Sequence, residues 1–534
     1  MPSYNPFSME AALVWRWFRI FACCLLGVCV AVFVARSVHW RLISDPAQID
    51  YACFLMDHGM APYRDLIELN MPGIYLVNWT VMHTVGSSDL AWRLFDLGLL
   101  VVAGLAMLSI ATRANWFAGA FAAGLFALLH GHGGDEQMGQ RDLIIAVLLL
   151  LAYAFLFAAM RGRRLWPLLL FGVFCSVAIT IKPPAGLFAV SLLLALVFWL
   201  RQQGRPVASA LLVSLAGMAI PLAIVLAFLI EKGSLHAFVH MVRLVLPCYS
   251  QLGRKSFVGM ITISKTVPML GLLLVLGAWV AYLKREWNWE SNLLALGIAL
   301  GALLYFVQGK GFTYHRYPLA AFLLLWVSLQ FCAGARRKGL ARGLSYAGLI
   351  LGLCAALEFT AHAIKTPEWG KEYRSALTDD LNGLGGKALS GKIQCFTTSG
   401  DCDMVLLRMG LVQSTGLFYD FMVFGDGDLP VLRDTRPRVW HSLVENPPQV
   451  IVVNGYLWPN HPCLVGPTSP VLQAMRFELP DAPRLVEDAE FGKLKTWPEF
   501  DAFLTQRYTV REVLFPVTDR DCPLPIVYRL YVRK

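Results

Sequence analysis

Five short groups in this 534-residue chain have residue types and spacings that could do chemistry. They are Asp45 with Asp50; Tyr63-Arg64-Asp65 followed by Glu68-Leu69-Asn70-Met71-Pro72-Gly73; Gly139-Gln140-Arg141-Asp142; Lys182-Pro183-Pro184; and Lys310-Gly311-Phe312-Thr313-Tyr314-His315-Arg316. A carboxylate can take the proton of an attacking hydroxyl, the role open to Asp45 with Asp50 in support. A set of cations can hold a phosphate and stabilise it as it leaves, the role open to Arg141, Lys182, Lys310, His315 and Arg316. Each residue also has a plainer use. Asp45 sits in Ser44-Asp45-Pro46, a helix-start pattern in which its side chain would only cap. A single lysine such as Lys182 at a membrane edge snorkels. Asp142 either holds Arg141 or forms an ordinary ion pair, and Asp57 and Asp65 face solvent or pair with Arg64. Tyr63 and Tyr314 either line a sugar site or anchor at the membrane interface. The convergence of several cations beside one acidic segment favours a site.

The elements that must position these groups are membrane helices. Apolar residues make up 57% of the chain and charged residues 15%, so several soluble domains are excluded. Apolar runs near 20 residues recur to about residue 362, the pattern of a polytopic α-helical membrane protein. Eleven spans are expected, at roughly 17–36, 90–112, 115–131, 143–160, 165–181, 185–200, 207–230, 262–283, 291–307, 317–334 and 343–362. The first lacks a convincing cleavage site and reads as a retained helix. Arg16, Arg19, Arg113, Arg161, Arg163, Arg164, Arg201, Arg205, Lys284, Arg285 and Arg336 to Lys338 with Arg342 fall in alternate connections. The positive-inside rule makes that face cytoplasmic, with the N-terminus there and, for an odd span count, the C-terminal region outside. The net charge of +10 therefore reports topology and not nucleic-acid binding. All five groups fall in the opposite, outer loops. In the first of these, about 37–89, Gly59 and Pro62 are expected to divide the stretch 44–75 into two short helical pieces. The loop 231–260 carries LHAFVHMVRLVL, amphipathic enough to lie in the interface or to serve as a connecting helix.

Residues 363–534 read as a soluble α/β domain, outside the membrane. KIQCFTT, QVIVVNG and IVYRLYVRK have strand composition, and RVWHSLVE and WPEFDAFLTQRY are helical. Cys395, Cys402, Cys463 and Cys522 permit two disulfides in three connectivities in an oxidising compartment. Cys395 with Cys402 is the shortest closure, and Cys463 with Cys522 its complement. Cys23, Cys24, Cys29, Cys175, Cys332 and Cys354 lie in apolar runs as packing residues. There is no internal repeat, Walker motif, GxGxxG or metalloprotease helix, which argues against an ATP-driven pump.

The order of marks along the first 340 residues or so resembles the GT-C superfamily of polytopic glycosyltransferases. It is most similar to the bacterial branch that includes protein mannosyltransferases and the lipid A aminoarabinose transferase. The marks are Ser44-Asp45, G-x-x-P-Y-R-D at 59–65, N-x-P-G at 70–73, Gly86 with Arg93, GQRD at 139–142, KPP at 182–184 and GKGFTYHRYP at 309–318. The resemblance implies a multi-pass transferase of the bacterial inner membrane. Such an enzyme moves a sugar, with inversion, from a polyprenyl-phosphate donor to a cell-envelope lipid, glycan or protein acceptor on the outer face. It implies Asp45 as the base, Arg141, Lys182, Lys310, His315 and Arg316 on the phosphate, and Tyr63 near the sugar. No cofactor follows with certainty, a divalent metal being the one candidate. The chain has Asp45-Pro46 where the family often has Asp-Glu, and Asn70-Met71-Pro72 where it has Lys-Pro-Pro. A polysaccharide ligase or polymerase would place its basic residues in one large late loop. A carrier or flippase would carry charged or broken mid-membrane segments. A sensor would depend on the last region alone.

Overall fold

The computed structural model describes residues 9–162, 164–262, 264, 266–286, 288–365, 371–397, 401–455, 491–515 and 526–534. Every expected span is a helix. They are α1 (Met9–Ser37), α4 (Asp89–Ala111), α5 (Trp116–His132), α6 (Arg141–Arg161), α7 (Trp166–Ile181), α8 (Gly186–Gln202), α9 (Val207–Glu231), α12 (Thr266–Lys284), α13 (Trp289–Gln308), α14 (Tyr317–Gly334) and α15 (Leu340–Lys365). Among the described residues nine helical segments are long and apolar enough to cross a membrane, α8 being counted with the 3-10 turn ahead of it as Pro183–Gln202, while α5 and α7 are shorter, at 17 and 16 residues. Both short helices are packed inside the bundle. At the α7–α9 crossing a Cβ on Gly172 would lie 2.1 Å from the Ser214 carbonyl oxygen, and one on Gly217 2.1 Å from that of Leu169. Apolar helices in lipid gain by such close backbone approach, since burying leucine there gains little.

The basic connections gather at one end of the bundle. Arg161, at the end of α6, pairs with Glu290 at the start of α13 (2.7 Å) and donates to the Ser109 and Ile110 carbonyls at the end of α4. Lys284, ending α12, donates to Gln330 near the end of α14 at 2.8 Å. Arg163 lies outside the described residues.

At the other end the connection between α1 and α4 forms α2 (Ser44–Asp57) and α3 (Pro72–Thr84). The second helical piece therefore starts within the N-x-P-G motif, at Pro72, and not after Pro62. Residues 58–71 are held out of helix by local bonds: the Asp65 carboxylate accepts from Ala61 N at 2.7 Å, and Tyr63 has a φ of 65°. The N-cap of α2 is Ile43, with no side-chain cap, so the capping reading of Asp45 fails. The amphipathic stretch is α10 (Leu235–Gln251), followed by α11 (Phe257–Thr262).

After Lys365 come α16 (Lys371–Gly383), β1 (Ile393–Phe396), α17 (Asp401–Met409), α18 (Pro430–Glu445), β2 (Val450–Asn454), a helix at Pro498–Arg507, β3 (Tyr508–Phe515) and β4 (Ile526–Arg533). The sheet order is β1-β2-β4-β3, with β1 parallel to β2 and β4 antiparallel to both neighbours. The three expected strands are present. β3 was not legible, because Arg511 and Glu512 make it read as polar, and only its eight-residue ladder with β4 defines it.

Cys395 and Cys402 are disulfide-bonded, joining β1 to α17, while Cys463 and Cys522 lie outside the described residues. Mass mapping without reductant should recover the Cys395–Cys402 peptide, and reduction should cost roughly 2 kcal/mol for so short a loop. Two free thiols at these positions would contradict it. Cys29, Cys175 and Cys332 are buried as expected of packing residues, whereas Cys24 and Cys354 are exposed.

The connection from α1 to α4 is clamped between membrane helices and this domain. Ile67 N donates to the Gly416 carbonyl at 2.7 Å, and Tyr51 bridges Leu411 O (2.9 Å) and Gln413 N (3.0 Å). A Cβ on Gly416 would stand 1.8 Å from the Asp65 carbonyl oxygen. Gly416→Ala should therefore lower the melting temperature, at a cost of about 1–3 kcal/mol or more. An unshifted melting curve would show that the two layers do not rest on each other there.

Candidate active site

Asp45 lies in the first turn of α2, about two-thirds buried. Its carboxylate accepts from Arg141 Nη2 at 3.0 Å and from the Tyr314 hydroxyl at 3.3 Å. Arg141 opens α6, and Tyr314 lies in the one-turn 3-10 helix Thr313–Arg316 ahead of α14. Asp142 does not hold Arg141. It is buried and takes the Lys182 ammonium on both oxygens, at 2.8 and 3.0 Å. Successive helix positions point about 100° apart, so Arg141 and Asp142 meet different neighbours. Lys182 is placed by the end of α7, against which the N-x-P-G turn packs: a Cβ on Gly73 would fall 2.3 Å from Thr180 Oγ1.

His315 is buried, and the charges around its ring are Lys182, Arg141 and Lys310. Among the described residues, His315 Nδ1 and Arg141 Nε are buried without a hydrogen-bond partner. Unpaired buried polar nitrogens beside a lysine and an arginine suit an anion. Two tyrosines that carry no sequence mark complete the surroundings. Tyr249, from α10, and Tyr419, from the loop after α17, both sit within electrostatic reach of Asp45 and Arg141.

The remaining sequence candidates are engaged with other partners. Asp50 is five residues beyond Asp45, about 140° round the helix, and its carboxylate accepts from Asn78 Nδ2 at 3.0 Å. Burial, opposed by the Asn78 bond, pushes its pKa up to about 8. A carboxyl whose folded pKa lies above its unfolded one stabilises less as pH rises, here between about 4 and 8. Asp50→Asn should thus raise the melting temperature at pH 8, with the gain vanishing near pH 4; a pH-independent shift would contradict this. Lys310 donates to the Tyr249 and Leu252 carbonyls and lies 4.5 Å from the Tyr249 ring, so it clamps the end of α10. Burial, with Arg254 nearby, pushes it down to about 7. Arg316 turns away to the hydroxyls of Ser264 and Thr266 ahead of and at the start of α12. Tyr63 is buried in the loop and donates to Asn70 O at 2.6 Å. Asp65 pairs with Arg64 at 2.8 Å, whereas Asp57 accepts from Trp79 at 2.9 Å and faces His83.

Behind the site runs a buried polar chain. His130 Nε2 lies 2.9 Å from Asp96 and its Nδ1 2.7 Å from the Tyr317 hydroxyl. Arg93 bonds both Asp96 and Ser37. Asp96 accepts Gly139 N at 3.1 Å, Tyr317 donates to Gln137 at 2.8 Å, and Gln137 donates to Thr313 at 2.8 Å. The loops bearing Arg141 and Tyr314 are thereby tied to α1, α4 and α5. Asp96 and His130 inside apolar runs are a signal that could have pointed here, since ionisable residues in spans rarely lack a role. No set of three or more His, Cys, Asp or Glu among the described residues could hold a metal ion, and Asp45 is joined by a cation instead of a second carboxylate. The residues present do not fit a divalent metal.

No protein-family model and no curated protein sequence matches the chain. Solved structures do. ArnT from Cupriavidus metallidurans bound to undecaprenyl phosphate matches with a TM-score of 0.57 at 13% identity, over 95% of this chain and 97% of that one. The same protein in the apo state matches with a TM-score of 0.56 at 12% identity, over 97% and 98%. The chain has the GT-C fold. At 95% coverage the match extends over the sheet domain as well as the eleven helices.

Proposed function

We propose that this protein is an inverting glycosyltransferase of the bacterial inner membrane, working on the outer face. It takes its sugar from a polyprenyl-phosphate donor and passes it to a cell-envelope lipid, glycan or protein. One observation carries the reading: a carboxylate free of any capping role faces a partly buried cationic cluster with unpaired buried nitrogens, at the end of the bundle away from the basic loops. The ArnT structure holds undecaprenyl phosphate, which supports a lipid of that class for a chain of the same fold.

In this reading the donor phosphate is held by Arg141 and Lys182, with His315 completing the shell. The acceptor oxygen attacks the anomeric carbon as the bond from that carbon to the phosphate oxygen breaks, through an oxocarbenium-like state. Asp45 takes the hydroxyl proton, and polyprenyl phosphate departs with its charge balanced by the cations. Arg141 serves both partners, so donor binding draws it from Asp45 and frees that carboxylate to accept the hydroxyl proton. The carrier reading finds no support, because Arg93 and Asp96 lie within the first two turns of α4 and His130 near the end of α5, at one rim. The test is to incubate purified protein with a panel of polyprenyl-phosphate sugars and follow release of polyprenyl phosphate. Absence of release from every donor, in protein that stays folded, would remove the transferase reading.

A further inference from the structure

A cavity of about 330 Å³ opens where three elements meet: the first outer loop at Tyr63 to Glu68, α10 at His236 to Val245, and α18 at Asp434 to Arg438. It lies on the domain side of the site, whereas the cationic cluster comes from α6, the α7–α8 turn and the loop before α14. Its inner end is Glu68, buried and accepting from Asn70 N and Nδ2, both at 2.7 Å, and from the Tyr75 hydroxyl. Asn70 Nδ2 also reaches the Tyr419 hydroxyl at 3.3 Å, and Tyr419 sits within electrostatic reach of Asp45. A polar wall therefore runs from the cavity through Asn70 to Tyr419, on the side of Asp45, and on it Asn70 Oδ1 is buried without a partner among the described residues.

The lining decides the kind of ligand. Ile67, Met241, Leu244 and Val245 supply an apolar face, and Glu68, His236, Asp434 and Arg438 supply polar groups. The charges at the rim are mutually paired. His240 meets Asp434 at 2.9 Å, Arg438 lies 3.7 Å from Asp434 and donates to Arg64 O at 2.8 Å, and Arg64 pairs with Asp65. Paired charges leave little net attraction for a free phosphate but keep lone pairs and N–H groups for neutral hydroxyls. A sugar ring has such a split surface, with C–H faces and O–H edges. The volume is at the small end of ligand pockets, which run from about 300 to 1,000 Å³, so one ring fits better than a long glycan. We infer that this cavity seats a sugar ring of the acceptor, with its attacking hydroxyl directed along the Glu68–Asn70–Tyr419 wall to Asp45. The C-terminal domain thereby supplies one wall of the acceptor site. The inference rests on the transferase reading above.

The experiment uses full-length protein in lipid nanodiscs and two separate ligands. A panel of methyl glycosides of hexoses, N-acetylhexosamines and pentoses is screened by saturation-transfer NMR, and undecaprenyl phosphate is titrated by native mass spectrometry. At least one glycoside should bind wild-type protein. Ala237→Trp, which fills the cavity from α10, should weaken it about tenfold or more, as should Arg438→Ala, which removes a charged donor. Undecaprenyl phosphate affinity should stay within about twofold of wild type in both, well under 1 kcal/mol. No glycoside signal in wild type, or one that survives both substitutions, overturns the inference. Failure of undecaprenyl phosphate to bind wild type would count against the donor reading instead, and the glycoside arm would still decide the cavity.

Discussion

Asp45→Asn protein is expected to insert, fold and bind undecaprenyl phosphate at least as tightly as wild type, while transfer falls by about 10²–10⁴-fold, the usual loss of a general base. The structure sharpens this expectation in two ways. Asp45 caps nothing, because the N-cap is Ile43, so the substitution removes no helix-capping bond. Asparagine can still accept from Arg141 and Tyr314 but cannot take a proton, and its lack of charge loosens Arg141 for the phosphate. Transfer rate and lipid affinity should therefore move in opposite directions or the second not at all. A merely structural aspartate would lower both together with the melting temperature. Undiminished transfer by well-folded Asp45→Asn would remove Asp45 as the base, and the buried, Asn78-bonded Asp50 would not inherit the role without a rearrangement of α2.

Arg141→Ala should weaken undecaprenyl phosphate binding by about 10–100-fold, from the loss of one charge-assisted contact worth roughly 1.5–3 kcal/mol. Arg141→Lys should recover only part of this, since an ammonium lacks the planar fork of the guanidinium. Lys182→Ala should act in the same direction, with an added loss of stability because Asp142 would be left buried and unpaired. Arg316→Ala is the contrast. Its guanidinium bonds Ser264 and Thr266, so it should lower stability and leave lipid affinity near wild type. Native mass spectrometry titrations of the four proteins separate these cases. Wild-type affinity in folded Arg141→Ala would take the phosphate away from this cluster.

The sequence by itself determined the eleven helices, the clustering of basic connections at one end and the sheet domain, because run length, loop charge and strand composition are local properties. It also singled out Asp45, Arg141, Lys182 and His315, since each lies in a short motif at the mouth of a span. What it could not decide was direction. Whether Asp45 capped its helix or faced a cation depended on Arg141, which lies 96 residues away. Asp142 chose Lys182 over Arg141, and Lys310 and Arg316 turned to backbone and hydroxyl partners, because buried polar groups bond whatever the packing brings near them. Tyr249 and Tyr419 reach the site from two remote elements that carry no motif, and the His130–Asp96–Tyr317 chain is assembled from three spans. Only tertiary packing makes neighbours of residues so far apart in the chain, and so the identity of the candidate groups was written in the sequence while their partners and orientation were set by the fold.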